Sequence, residues 1–272
     1  MKITVLTDNS APEKSSLKGE WGLSFHIEAE GRSYLLDTGA SSLFAKNAEK
    51  LGIDLSRVDY GILSHSHYDH SDGMDKFFTL NKTAPFYISS NCEDNCYGKR
   101  FIFSKYIGIK KGLTERYRDR IVRVKGNMKL CDGVHLICHT SENLQAIGKK
   151  TGLYKKINRK LIPDDFDHEQ SLVFETEKGL VIFNSCSHAG PENILCEIKS
   201  AFPESNIYAY FGGLHLYRSD EAEIRRMAEV LGGSTLQLIV TGHCTGDKAY
   251  RLLKEALGDR LSQLSVGRVI EI

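Results

Sequence analysis

Three imidazoles and a carboxylate stand within the six residues His65-Ser66-His67-Tyr68-Asp69-His70. Neutral imidazole binds transition metals, and a carboxylate adds charge that helps to retain a second ion. Four ligands so close in sequence do not converge easily on one tetrahedral ion. Two on each of two neighbouring ions is simpler, and such a pair can clamp both oxygens of a displacement reaction. His65 and His67 alternate by two, so an extended backbone would aim both the same way. A solvated loop rich in histidine is the bland alternative. Only ten histidines occur in 272 residues, too few to cluster this tightly without a reason.

The elements that must position this cluster can be read around it. Tyr60-Gly61-Ile62-Leu63-Ser64 precedes it and has the composition of a short buried strand. Ligands at the carboxyl end of a strand sit where open α/β sheets build their sites. Residues 1–7, 21–28 and 32–37 read as further strands, 42–51 and 72–80 as helices, and 84–89 as a strand. From 93 to 167 the pattern weakens, with only 121–124 and 133–138 strand-like. That stretch reads as a loop-rich insertion near the site, with Tyr97, Phe101, Tyr106 and Tyr154 lining a pocket or filling local cores. The second half is cleaner. A hairpin over 172–184 leads into three steps in which a strand (181–184, 207–211, 236–240) is followed by a histidine-bearing turn and a helix (192–201, 221–231, 248–257). Residues 266–272 close as a strand. Two strand-and-helix halves without a Pro/Gly/Ser-rich linker predict an α/β protein, a single domain over 1–272 built as a four-layer αβ/βα sandwich with its site along one edge.

Composition excludes several classes. Hydrophobic residues make up 41% and charged residues 26%, with a formal charge of +1, so no nucleic-acid or membrane surface is expected. No apolar run reaches the roughly 18 residues of a membrane helix, and the first residues read as a strand rather than a signal peptide. A cytoplasmic location is the default. Seven cysteines at irregular spacings argue against a disulfide framework, and Cys92-x-x-x-Cys96 reads as unpaired thiols. The basic pairs Lys149-Lys150, Lys155-Lys156 and Arg159-Lys160 are either a solvated loop or a rim that attracts an anionic, phosphorylated substrate.

Further motifs follow in order: Leu35-Leu36-Asp37-Thr38-Gly39, Asn184-Ser185-Cys186-Ser187-His188-Ala189-Gly190, Gly212-Gly213-Leu214-His215-Leu216 and Thr241-Gly242-His243-Cys244-Thr245-Gly246. Together with His65-x-His67-x-Asp69-His70, these resemble the metallo-β-lactamase fold superfamily of metallohydrolases. The three later motifs resemble its branch of 7,8-dihydropterin-6-methyl-4-(ribofuranosyl)aminobenzene-phosphate synthase-like metal-dependent hydrolases. The resemblance implies the same sandwich fold and two divalent ions, with zinc first in order and manganese or iron as alternatives. It implies that His65, His67 and His188 hold one ion, that Asp69, His70 and His243 hold the other, and that Asp37 supports the metal loop. One departure stands out. Most of the superfamily has a bridging aspartate after the strand 180–184, and this chain has Asn184, Ser185 and Cys186 instead. Cys186 could bridge as a soft ligand, or hydroxide alone could. His139 competes with His188 as third ligand.

The implied chemistry is hydrolysis of a small ester, lactone or phosphoester by metal-activated hydroxide. Asp69 would orient the hydroxide, and His215 would stabilise developing charge or protonate the leaving group. Two alternatives use the same fold: a transferase that condenses a pterin with a ribofuranosyl-aminobenzene phosphate, and a diiron redox or binding protein. The Gly212-Gly213 pair lacks the Lys-Ser/Thr of a phosphate loop and reads as room for close backbone approach. His26, His135 and His168 carry no comparable context and read as structural.

Overall fold

The computed structural model describes residues 1–272. The chain forms two compact units, one of residues 1–125, 142–169 and 265–272, the other of residues 126–141 and 170–264.

In the first unit a seven-stranded sheet runs, from edge to edge, through Val269–Glu271, Lys2–Thr7, Ser24–Ala29, Arg32–Leu36, Tyr60–Ile62, Phe86–Ser89 and Ile121–Val124. The strands from Arg32–Leu36 to Ile121–Val124 pair in parallel. Helices Leu43–Lys50 and Met74–Leu80 turn Phe44, Ala48, Met74, Phe77 and Phe78 into a core with Leu6, Leu35, Leu63, Phe86 and Ile88. Gly61 is required at the centre of its strand, because a Cβ there would lie 2.2 Å from the Phe86 ring. The edge of Phe86 therefore fills the space beneath the strand that leads to the histidines.

A second sheet in this unit, Lys160–Pro163, Leu153–Ile157, Cys96–Arg100 and Phe103–Tyr106, corrects the expectation of a loop-rich segment over 93–167. Helices Leu113–Arg116 and Leu144–Thr151 belong to the same stretch. The small sheet went unread because its strands carry Lys and Arg on a largely exposed face, without the apolar alternation that marks a strand. Lys155 is a second correction. It is buried and bridges Asp165 at 2.5 Å and Asp167 at 2.8 Å, so it belongs to neither a solvated loop nor an anion-attracting rim. Phe101 is 82% exposed at the hairpin tip, in no core, whereas Tyr97 and Tyr106 meet edge to face at 5.4 Å.

In the second unit the order is Leu261–Gln263, Leu238–Thr241, Ile207–Phe211, Gly179–Phe183, Gln170–Thr176, Val134–Cys138 and Met128–Cys131. The first four of these strands are parallel to one another. Helices Pro191–Ala201, Glu221–Gly233 and Asp247–Leu257 follow the histidine-bearing turns. Pro191 opens the first of them, and Asp220 caps the second by accepting from the Glu223 N–H at 2.9 Å. The short strand Leu261–Gln263 was not expected from sequence.

Gly212 shows how tightly the turns of this unit pack. Its φ is +135° and an added Cβ would stand 1.9 Å from the Asn184 carbonyl oxygen. The glycine pair thus admits the backbone of a neighbouring turn. Gly212→Ala is expected to lower stability by more than about 3 kcal/mol, since both the φ angle and the clash oppose a side chain. Urea unfolding of the variant checks this.

Candidate metal centre

The buried carboxylate of Asp37 organises the histidine loop of the first unit. It ends the strand Arg32–Leu36 at a φ of +59°, a strained conformation for a residue with a side chain. Its Oδ1 accepts the Ser64 N–H at 2.7 Å, and its Oδ2 accepts the Ser64 hydroxyl at 2.7 Å. Since that hydroxyl donates to Asp37, its oxygen is the acceptor for His65 Nδ1–H at 2.8 Å. His70 Nδ1 lies 2.8 Å from Asp37 Oδ2 and donates to it directly. One carboxylate therefore fixes both rings as Nδ1–H tautomers, which puts the lone pairs of His65 and His70 on Nε2.

The backbone of the loop is fixed as well. Thr38 donates its N–H and its hydroxyl to the His70 carbonyl at 2.8 and 3.0 Å, and Tyr68 donates its N–H to Ile107 O at 2.8 Å. Gly73 lets the following turn close on Thr38, where a Cβ would meet the carbonyl oxygen at 2.2 Å. His65, His67, Asp69 and His70 are all buried. The His65 ring centre is 4.7 Å from that of His67 and 4.2 Å from that of His70.

His70 Nε2 and Asp69 Oδ2 are 3.8 Å apart, too far for a hydrogen bond but near the spacing of two ligands each about 2 Å from one ion. Burial lifts Asp69 above the ordinary carboxylate range, against the lowering effect of His70 and of the Trp21 indole that donates to it. For His70 burial opposes charge, but Asp69 and Asp37 outweigh it and raise its pKa. A cation between them would hold Asp69 ionised and His70 neutral. Donor types, tautomers and burial in this loop fit a divalent transition metal.

In the second unit His188 and His243 each occupy a turn after a parallel strand. Ser187, His215 and His243 have positive φ angles of 55°, 50° and 48°. With Asp37 they make four of the nine non-glycine residues in that region, a concentration typical of functional sites. Ser187 donates its N–H to Asn184 Oδ1 at 2.7 Å, and its hydroxyl lies 2.6 Å from that of Tyr210. Asn184 Nδ2 donates to Ser171 Oγ at 2.9 Å. Asn184 thus holds the turn that carries Ser187 and His188. His188 and His215 have ring centres 4.4 Å apart. Burial, aided by Arg218, pushes His215 down to about 4, so it is neutral near neutral pH. Ligand atoms of Cys186, His243 and Cys244 lie within 4.8 Å of one another, and no cysteine is in a disulfide.

His139 has other employment. Its Nδ1 lies 2.6 Å from Glu197 Oε2 and its Nε2 2.9 Å from Ser171 Oγ, so both nitrogens are engaged in this unit. The Thr140 N–H and the Ser141 hydroxyl also donate to Glu197, each at 2.8 Å. Burial pushes Glu197 up, but these partners outweigh it and hold its carboxyl below the ordinary value. A depressed folded pKa contributes stability that is present above the unfolded value of about 4.3 and lost as pH falls through the folded one. Glu197→Gln is expected to cost about 1–3 kcal/mol at neutral pH and to flatten the acid limb. Urea midpoints measured across pH check both.

Sequence reasoning read His168 as structural and Cys96 as an unpaired thiol, and it missed Asp164. Their side chains and His67 bring one ligand-type atom each to within 4.8 Å of one another, all buried in the first unit. The four-residue spacing of Asp164 and His168 was the available signal. His26 and His135 do have ordinary partners, Ser33 Oγ at 2.8 Å and Glu175 Oε1 at 2.7 Å.

A family model described as the metallo-beta-lactamase superfamily matches residues 22–179. A 7,8-dihydropterin-6-methyl-4-(beta-D-ribofuranosyl)-aminobenzene-5'-phosphate synthase of Methanocaldococcus jannaschii is 31% identical, over 100% of this chain and 96% of its own. A crystal structure described as a metal-dependent hydrolase of the beta-lactamase superfamily superposes with a TM-score of 0.85 at 27% identity, covering 100% of this chain and 99% of that one. A diphosphatase shares the fold at a TM-score of 0.59 and 13% identity, covering 100% of this chain and 97% of its own. No helix is long and apolar enough to cross a membrane.

Proposed function

Because this chain belongs to the metallo-β-lactamase superfamily, we propose that it is a dinuclear metal-dependent hydrolase of a small ester, lactone or phosphoester. The observation that supports the reading is the Asp37 network, which holds His65 and His70 with their protons on Nδ1 and their lone pairs on Nε2. The assignment of ligands follows the superfamily motif, residue by residue. His65, His67 and His188 take one ion; Asp69, His70 and His243 take the other, with zinc the first candidate. Bound divalent ions would lower the pKa of a water from about 16 toward 7 and polarise a carbonyl or phosphoryl oxygen.

The remaining work falls to the protein. Asp69 orients the nucleophile while its charge helps retain the second ion. His215, neutral above about pH 4, donates a hydrogen bond to developing negative charge. This narrows the role read from sequence, since an uncharged imidazole is a poor acid for a leaving group.

A second reading is condensation of a dihydropterin-methyl diphosphate with a ribofuranosyl-aminobenzene phosphate: the amine nitrogen bonds to the methylene carbon as its bond to diphosphate breaks, and the amine proton is released. The full-length relation to the synthase favours it. The metal-loaded protein should be assayed on a panel of esters, lactones and phosphodiesters, and separately on the pterin pair. Hydrolysis that falls about 10²–10⁴-fold in His215→Ala at unchanged metal content supports the first reading. Diphosphate release only with both pterin substrates supports the second. Inactivity of the metal-loaded protein in every assay contradicts both.

A further inference from the structure

We propose that His168, held by Asp164, is a positioning residue that fixes the backbone between His65 and His67. Ser66, the residue between them, is fully buried, and its N–H needs an acceptor. His168 Nδ1 provides it at 3.2 Å. A ring nitrogen that accepts carries no proton, so the neutral ring holds its proton on Nε2. That nitrogen lies 3.2 Å from Asp164 Oδ2 and 3.7 Å from Cys96 Sγ. Asp164 and His168 are fully buried, and the pair joins a distant turn of the chain to the middle of the metal loop.

The supporting turn is itself held. Asp164 accepts the Phe166 N–H at Oδ1, 2.8 Å away, and Asp164 N–H donates to Leu153 O at 3.0 Å. Phe166 is buried at a φ of +50°, and the Ser89 hydroxyl donates to Asp167 O at 3.1 Å. Gly148 allows the close approach, since a Cβ there would stand 2.1 Å from Asp164 O. His168 is thus presented from a fixed frame.

The cluster of His67, Cys96, Asp164 and His168 has the residue types of a metal site, and the hydrogen bonds decide against that use. Burial and the neighbouring Cys96 and Asp164 act in opposite directions on a second ring proton, the partners prevailing. The Ser66 N–H aimed at Nδ1 leaves no room for that proton there. With its one proton on Nε2, the ring has no lone pair to offer an ion beside Asp164 and Cys96. Groups that orient a ligand loop are worth about 10–100-fold in metal affinity. That consequence rests on the metal-binding reading above; the hydrogen bond itself does not.

The test compares His168→Asn, whose Oδ1 lies near the place of Nδ1 and keeps the acceptor, with His168→Gln, whose polar end lies near Nε2 and loses it. In chelator-treated protein, Ser66 amide exchange should be slow in wild type and His168→Asn, and faster by roughly tenfold in His168→Gln. Zinc affinity by chelator competition should hold in His168→Asn and fall about 10–100-fold in His168→Gln. A merely space-filling role would favour the larger glutamine. Equal exchange and equal affinity in the two variants overturn the proposal, as does an additional bound metal lost in Cys96→Ser. ¹⁵N spectra of the metal-free wild type need no variant: an unprotonated Nδ1 supports it and a protonated Nδ1 overturns it. Failure of wild type to bind zinc would overturn the functional reading and the affinity consequence, while exchange and ring spectra still decide the hydrogen bond.

Discussion

Asp37→Ala is expected to weaken metal binding about 10–100-fold and to lower stability by about 3–5 kcal/mol, although Asp37 is not a proposed ligand. Its carboxylate accepts from the Ser64 N–H, the Ser64 hydroxyl and His70 Nδ1, and it is fully buried. Alanine leaves these donors facing a void. Asp37→Asn tests the tautomer argument more sharply. Asparagine fills the space, but its amide N–H₂ facing His70 Nδ1 would move the ring proton to Nε2 and cap the nitrogen meant for metal. Asn should therefore recover much of the stability and little of the affinity. Urea unfolding and chelator competition on the same preparations separate the two. Equal recovery of both would show that Asp37 acts only through packing.

The second large effect is expected at His188. On the proposed ligand assignment, His188→Ala should lower turnover by at least about 10³-fold, since it would remove a ligand from the ion that would activate water, while the fold persists. His188 lies in a turn held by Ser187, Asn184 and Tyr210, none of which needs the imidazole. Bound metal should fall from about two equivalents to one or fewer. His139→Ala is the control. With both nitrogens engaged by Glu197 and Ser171, it should lose stability and keep its metal. The reverse pattern, metal lost in His139→Ala and kept in His188→Ala, would exchange their roles.

The parts legible in sequence were those with a strong local signal. Parallel strands are continuous apolar runs, so Gly179–Phe183 and Ile207–Phe211 were found within a residue or two. The helices after the histidine turns were found as well, because their amphipathic spacing spans eleven or more residues. The buried histidine loop was visible because His65, His67, Asp69 and His70 are neighbours in sequence. The small sheet built on Cys96–Arg100 and Leu153–Ile157 was not, because its basic strands lack apolar alternation. The part that His168 and Asp164 play went unread for another reason. Their importance comes from a hydrogen bond across 102 residues to Ser66, which no local pattern encodes. Lys155 looked solvated, since nothing in a run of lysines shows which one meets Asp165 and Asp167.

The most direct test of the central claim is the metal content of wild-type protein purified without added metal and again after reconstitution. The Asp37-anchored histidine loop and the superfamily ligand set predict about two equivalents of divalent transition metal, retained on gel filtration. Protein that holds none, even after reconstitution with zinc, manganese and iron, would contradict the account.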